Sequence, residues 1–415
     1  MLHRQYLIII KTACCFLFVM FFSCKNENRA TSENSVFVAN LDSISTVEFK
    51  YSNLFKKATA IILDNKEVAL IGINKMLIHE DSLYLLDRKS QGVYVFQKDG
   101  NFVRRFGNLG VGPGEYISCR DFAINPDTNE IYIFDKAKNR ICKYDMSSGE
   151  YKGNVNISKK ADVDYITYNN GYLYAAQACN RNGKATDIYY LLYQINATSG
   201  EIIARWLDAA FYNKGWNDEL IHGNIFYKIR NGEDLFVLGL MDTIMGFKNG
   251  EVVPLLTIEG KRLMQKEDIL DEEKVPTSNP RIRSNRMMAL LSRLSAQNKI
   301  YQISNVFEYN NKLYFNCMGQ ISYFVEYDVN REKTFVYSRT TDDVLFRIIP
   351  EHFQLPIFLS TDETGGYYYV SCDNLAELKY FIEENMISEK LSNQECIKEL
   401  TEDSNPIILY YEYKN

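Results

Sequence analysis

Between Leu83 and Tyr116 the chain reads LYLLDRKSQGVYVFQKDGNFVRRFGNLGVGPGEY. Three short apolar runs, LYLLD, VYVF and FVRRF, alternate with the polar turns RKSQG and QKDGN. Such runs are the length of strands, and the turns hold the Gly, Asp and Asn that tight hairpins require. The first run recurs. It reads SLYLLD around Tyr84, EIYIFD around Tyr132, YLYAAQ around Tyr174, DLFVLG around Phe236, KLYFNC around Tyr314 and YYYVSC around Tyr369. Each copy follows a turn (HEDS, NPDTN, NNG, NGED, NNK, DETGG) and precedes a third strand: VYVF, RICKY, YYLLYQI, TIMGF, SYFVEY and IILYYEY. Turns such as KDGN, SSGE, TSGE and KNGE then lead to a fourth strand.

Four antiparallel strands repeated six times predict an all-β fold, a six-bladed β-propeller of four-stranded antiparallel blades. The intervals between copies are 48, 42, 62, 78 and 55 residues. Propeller repeats run to about 40–50 residues, so the longer intervals hold insertions. KRLMQKEDILDEEK and SNRMMALLSRLSAQ have helical spacing and place one helical insertion at about 261–298. A second occupies about 374–400, between the second and third strands of the sixth repeat. That repeat lacks a fourth strand, whereas KATAIILD at 57–64 has no repeat of its own. Placing it beside the C-terminal strand completes the sixth sheet and closes the ring, which removes an exposed edge.

The composition fits this reading. Of 415 residues, 46% are hydrophobic, with 30 Tyr and 24 Phe, a balance that favours strands over helices. The net charge of −6 argues against a nucleic-acid partner. At the N-terminus, His3, Arg4 and Lys11 precede an apolar run from Ala13 to Phe22, the length of a signal-peptide core. Ser23-Cys24 follows, then the polar KNENRATSENS. This resembles the lipobox of bacterial lipoproteins, although Phe21 and Phe22 depart from its strict form. The resemblance implies cleavage after residue 23 and a lipid on Cys24. The expected organisation is a signal peptide over 1–23, a flexible tether over 24–44 and the propeller over 45–415. Without residues 1–23 the net charge is −8. The six cysteines beyond Cys24 form no CxxC, and free buried thiols are expected of them.

The residues LYLLDRKSQGVYVFQKDGNFVRRFGNLGVGPGEY and IYIFDKAKNRICKYD make the chain similar to the six-bladed propeller lipoproteins of Bacteroidota, related in form to NHL-repeat propellers. The resemblance covers about 45–415. It implies a lipid-anchored location in the cell envelope, at the outer membrane, and a monomer contacting the membrane through its anchor.

FGNLGVGPGEY crosses from the rim of one blade to the centre of the next. It lacks the Gly-Lys-Ser/Thr of a phosphate loop, and Pro113 and a strand follow where a dinucleotide fingerprint needs a helix. Its glycines serve a turn. Crossing loops converge on the channel mouth, so Glu115, Tyr116, Arg120, Asp164 and Tyr165 are candidate ligand contacts there, with His222 beside the fourth repeat's inner strand. Asp87 and Asp135 are expected to cap turns. No catalytic residues, metal site or cofactor are expected. The scattered histidines (His3, His79, His222, His352) and the lack of GxSxG favour a binding or scaffold module for a glycan, peptide or envelope protein. The alternative is an NHL-like lyase or hydrolase with its site at the channel mouth.

Overall fold

The second and third strand of each repeat are apolar at nearly every position because both of their faces are covered. Ser82–Asp87 is buried from Leu83 onwards, and Gly92–Gln97 is buried up to Phe96. Outer strands alternate instead, as in Ile202–Asp208, where exposed residues interleave with partly buried ones. A continuous apolar run marks a strand sandwiched between layers, and alternation marks one with a solvent face.

The computed structural model describes residues 36–181, 189–220, 223–229, 234–350 and 357–414. Among the described residues the chain forms six sheets of four or five strands, each a blade of a six-bladed β-propeller, and two further two-stranded pairs. Blade one comprises Lys75–His79, Ser82–Asp87, Gly92–Gln97 and Phe102–Phe106. Blade two runs from Cys119–Asn125 to Tyr151–Asn156, and blade three from Tyr165–Asn169 to Ile202–Asp208. Blade four spans Phe226–Lys228 to Glu251–Glu259, and blade five Gln302–Tyr309 to Lys333–Tyr337. Blade six combines Phe358–Thr361, Gly365–Val370 and Ile407–Tyr413 with Phe55–Ile62 from near the chain's start. The first strands abut one another around the axis, as in blades one and two, two and three, and six and one.

The apolar core is divided into layers between blades. Tyr84, Phe106, Tyr116, Phe122, Ile133 and Tyr144 fill the space between blades one and two. Ile61, Leu85, Phe96, Tyr367 and Ile408 fill that between six and one. Each such side chain contributes about 1.5–3 kcal/mol by leaving water.

The closing strand pairs antiparallel with the tail, from Ile62 opposite Ile407 to Phe55 opposite Tyr413. It begins two residues earlier than KATAIILD. The preceding segment corrects the expected tether. Phe37–Asn40 lies parallel to Leu256–Glu259 on the outer edge of blade four, and Ile44–Ser45 to Val336–Tyr337 on blade five. Phe49–Lys50 then pairs with Thr340–Thr341. Residues 37–50 are thus a strap across two blade edges, held by backbone bonds and by the buried side chains of Ala39, Leu41 and Phe49. Cys24 and the signal segment lie outside the described residues.

Within 261–298 only Pro280–Ala296 is α-helical, opened by Asn279, whose side chain accepts from Arg281 N at 3.0 Å, with Pro280 in the first turn. KRLMQKEDILDEEK forms two short 3-10 turns, Lys266–Asp268 and Asp271–Lys274, not the expected helix. Asp268 and Glu273 fold back onto the backbone N–H of Gln265 and Leu270 at 2.6 and 2.9 Å and cap the start of each turn, and each turn ends where Ile269 and Val275 become extended. Trp216, Leu240, Met264, Leu290 and Leu294 give this region its own small core. Helices Cys372–Glu383 and Gln394–Glu399 lie between the second and third strands of blade six. The cysteines from Cys119 onwards are free, and Cys119, Cys142, Cys179 and Cys317 are buried.

Candidate functional site

The channel is filled along its middle. Lys75, on the inner strand of blade one, donates to Asp121 Oδ2 at 3.1 Å, to the Phe122 carbonyl at 2.7 Å and to the Ile166 carbonyl at 3.0 Å. Asp121 also accepts from Ile166 N at 2.7 Å, so one ion pair ties blades one, two and three. Burial pushes the Lys75 ammonium below its ordinary range, although Asp121 works against this. Opposite, Asn305 of blade five accepts from Phe358 N at 2.9 Å, and Asn224 donates to the Leu359 carbonyl of blade six. The remaining space between blades four, five, six and one is about 20 Å³, room for about one water. The channel has two mouths: the entry mouth, where the inner strands begin, and the exit mouth, where they end.

At the entry mouth the structure brings together three of the residues singled out from sequence. Arg120 Nη2 donates to Tyr165 Oη at 3.2 Å and to Glu219 Oε1 at 3.0 Å, while Tyr165 Oη donates to the same carboxylate at 2.6 Å. Asp164 joins through Arg181, whose Nη2 reaches Asp164 Oδ1 at 2.8 Å and Glu219 Oε2 at 3.5 Å. Arg181 Nη1 also meets Asp162 at 3.0 Å, and Lys136 pairs with Asp162 and, at 3.4 Å, with Asp164. Burial acts to raise the Asp162 pKa, but Lys136 and Arg181 outweigh it and hold the carboxyl below its usual range. Burial also acts against the charge of Arg181. Asp164, with Asp162, more than offsets this, and the guanidinium binds its proton more tightly than usual. The Tyr165 hydroxyl is pushed up by burial and by Glu219.

Glu115 and Tyr116 do not join this cluster. Glu115 Oε2 accepts from Gly112 N at 2.7 Å and closes the glycine loop on itself. Tyr116 is fully buried between blades one and two, donating to the Phe106 carbonyl at 2.9 Å. His222 lies outside the described residues. Arg88, Lys136, Arg181 and Glu219 were not among the candidates, yet two of them follow a rule visible in the repeats. Arg88 and Lys136 each follow the aspartate that ends a second strand, and each reaches to a later blade: Arg88 Nε to the Arg120 carbonyl at 2.9 Å, Lys136 to the Val163 carbonyl at 2.5 Å. Those aspartates hold more than a turn. Asp87 accepts from Lys89 N at 2.9 Å and from Ile71 N, in the preceding crossing, at 2.7 Å. Asp135 accepts from Ile117 N at 3.3 Å and Ser118 N at 3.1 Å and pairs with Arg140 at 3.2 Å.

The exit mouth holds a basin of about 490 Å³ over blades four to six, lined by Lys228, Glu308, Tyr309, Thr361, Asp362 and Tyr413 among others. A second hollow of about 190 Å³ over blades one to three, with His79, Asp127 and Asn169, shares Ile78 and Lys228 with it. The hairpin ends of the inner strands build both. Lys228 pairs with buried Asp234 at 3.0 Å, and Asp234 accepts from Thr167 at 2.9 Å. Asp362 accepts from Thr364 N at 2.8 Å and Tyr367 Oη at 3.0 Å, and Lys98 stands 3.4 Å away. Glu412 is met by Lys56 at 2.7 Å and Lys57 at 3.2 Å. The rings of Tyr309 and Tyr413 stack 4.4 Å apart. With so many charges matched by neighbours, the walls offer donors, acceptors and an aromatic edge, a surface suited to an uncharged polar ligand. Among the described residues no group of three or more His, Cys, Asp or Glu stands together as a metal site would, and no helix is long and apolar enough to cross a membrane.

Fold and mouths together define a closed six-bladed propeller with a filled channel. The chain belongs to the DUF4934 family (domain of unknown function), which matches residues 36–412. A crystal structure of a Bacteroides fragilis NCTC 9343 protein described as exported is similar at a TM-score of 0.69 and 18% identity, covering 91% of this chain and 100% of that one. A member of the duf4221 family from Bacteroides vulgatus ATCC 8482 gives 0.49 and 12%, covering 87% and 97%. Virginiamycin B lyase from Staphylococcus aureus gives 0.36 and 11%, covering 76% and 81%. At these identities the likeness is one of fold, and the last two are too distant to carry an argument. A search of curated proteins gives no match.

Proposed function

We propose that the chain is an exported propeller, held in the outer envelope by a lipid on Cys24, that acts as a binding or scaffold module for a glycan, a peptide or an envelope protein. The observation that carries the binding reading is the exit basin. It has about 490 Å³, a size that ligand sites favour, and it is walled by polar groups fixed in ion pairs and turns. Export is supported by the positive, apolar and Ser23-Cys24 order of the first residues, and by likeness to a Bacteroides protein described as exported. The glycine-rich crossing Phe106–Tyr116 has the form seen in NHL-type propellers.

Calorimetric titration of the mature protein with a set of oligosaccharides and peptides tests the binding reading. One class binds saturably, and Thr361→Trp, which fills the basin, weakens it at least tenfold. Absence of saturable binding, or indifference to Thr361→Trp, overturns it. For location, Cys24→Ala abolishes lipid labelling and releases the protein from the membrane fraction. A variant still labelled and sedimenting with membranes removes the anchor assignment.

A further inference from the structure

At the entry mouth, two guanidinium groups from different blades rest on one ring. Arg88 Cζ lies 5.3 Å from the centroid of Tyr165, and Arg120 Cζ lies 5.0 Å from it. Arg88 is fixed there by its Nε bond to the Arg120 carbonyl. Four cations, Arg88, Arg120, Arg181 and Lys136, share the mouth with three carboxylates, Asp162, Asp164 and Glu219. Arg120, Arg181 and Lys136 form ion pairs with those three acids. Arg88 pairs with no carboxylate among the described residues. Arg120 Nε is buried without an acceptor. Among these described residues the cations outnumber the acids by one, and Arg88 and Arg120 both rest on the same tyrosine. A planar guanidinium presents paired N–H donors to any anion with two oxygens.

We infer that the entry mouth is an oxyanion site, in which Arg88, aided by Arg120, takes a carboxylate, sulfate or phosphate group over the Tyr165 ring. The anion balances the charge of Arg88 and accepts from its terminal N–H groups, which donate to no acceptor among the described residues. Lys136, Arg181 and their acids stay as the frame that holds Tyr165 and Arg120. This site lies at the opposite end of the channel from the basin, and neither depends on the other.

The test replaces chloride by sulfate or phosphate at constant ionic strength and follows thermal unfolding and calorimetric binding of the mature protein. A saturable rise in Tm with sulfate or phosphate is expected. Arg88→Gln reduces the affinity at least tenfold. Arg88→Lys, which keeps charge and fold but loses the planar fork, weakens it to a lesser degree. Lys89→Gln, at the exposed neighbouring position, leaves it unchanged. No saturable response in the parent protein, or an equal response in Arg88→Gln or in Arg88→Lys, overturns the site. A galactose 6-sulfate probe separates two sources of the same chemistry: tighter binding than inorganic sulfate assigns the site to a sugar-borne anion, and equal binding to a free one.

Discussion

Ala60 and Leu409 face each other across the seam that closes the ring, the first on the strand that enters blade six from the chain's start, the second on the tail. Both are buried, Leu409 completely. A ring closed this way couples every blade to the seam, so damage there is felt as loss of the whole fold. Leu409→Ala is expected to cost about 2–5 kcal/mol through the cavity it leaves, with urea unfolding still a single transition. Two separate transitions would show that the blades melt independently and that the seam is incidental.

The glycine-rich crossing makes different demands at different positions. Gly107 has φ +60°, and a Cβ there would stand 2.4 Å from Tyr144 Oη and 2.7 Å from Tyr116 Cε1. Both rings are buried and hydrogen-bonded, to the Gly114 and Phe106 carbonyls. Gly107→Ala should destabilise by about 1–3 kcal/mol. At Gly112 the nearest atom is the end of the Glu115 side chain at 3.1 Å, which can move, so Gly112→Ala should cost below about 1 kcal/mol. Equal losses in chemical denaturation would refute the distinction.

Asp135 is fully buried and holds two crossing N–H groups and Arg140. Asp135→Ala strands all three and is expected to cost about 2–4 kcal/mol. Asp99→Ala, in the exposed KDGN turn where the carboxylate accepts from Asn101 N at 3.0 Å, should cost below about 1 kcal/mol. Paired urea titrations decide this, and a cost at Asp99 matching that at Asp135 contradicts it.

Asp218 is 2% exposed and neither carboxylate oxygen has a hydrogen-bond partner. Burial pushes its pKa from 3.8 up to about 6, against the pull of Arg286 and Arg283. The folded state thus favours the protonated form. That contribution to stability is full below about pH 4 and is lost as pH rises through about 6. Asp218→Asn should therefore be more stable than the parent at pH 7.5, by about 1–3 kcal/mol, with the difference fading near pH 4. A variant less stable at pH 7.5 would mean that the carboxylate is engaged.

The blades were legible because strands sandwiched on both faces must be apolar throughout, and the tyrosines at 84, 132, 174 and 314 sit inside such strands, with Tyr369 near the end of its own. The insertion helix announced itself by the helical spacing of SNRMMALLSRLSAQ, whereas KRLMQKEDILDEEK has the same spacing but turns extended at Ile269 and Val275. At the entry mouth, Arg120 and Tyr165 were readable because they begin inner strands. Arg181 and Glu219 come from irregular connections where no period exists. Tyr116 misled for a physical reason: a crossing that dives to the centre needs an aromatic wedge between blades, and burial there is incompatible with a solvent-facing contact. The strap 37–50 left no trace because its paired runs of two to four residues are too short to show a period, although Ala39, Leu41 and Phe49 are buried.

The strap and seam also set a timetable. Synthesis delivers residues 37–62 first, while their partners at Leu256, Val336, Thr340 and Leu409 come progressively later. The leading segment must wait for nearly the whole polypeptide before it can settle, so assembly is slow and leaves sheet edges unprotected meanwhile. A nascent chain interrupted before its final strand is an unclosed arc, with Phe55–Ile62 lacking the partner that seals the ring.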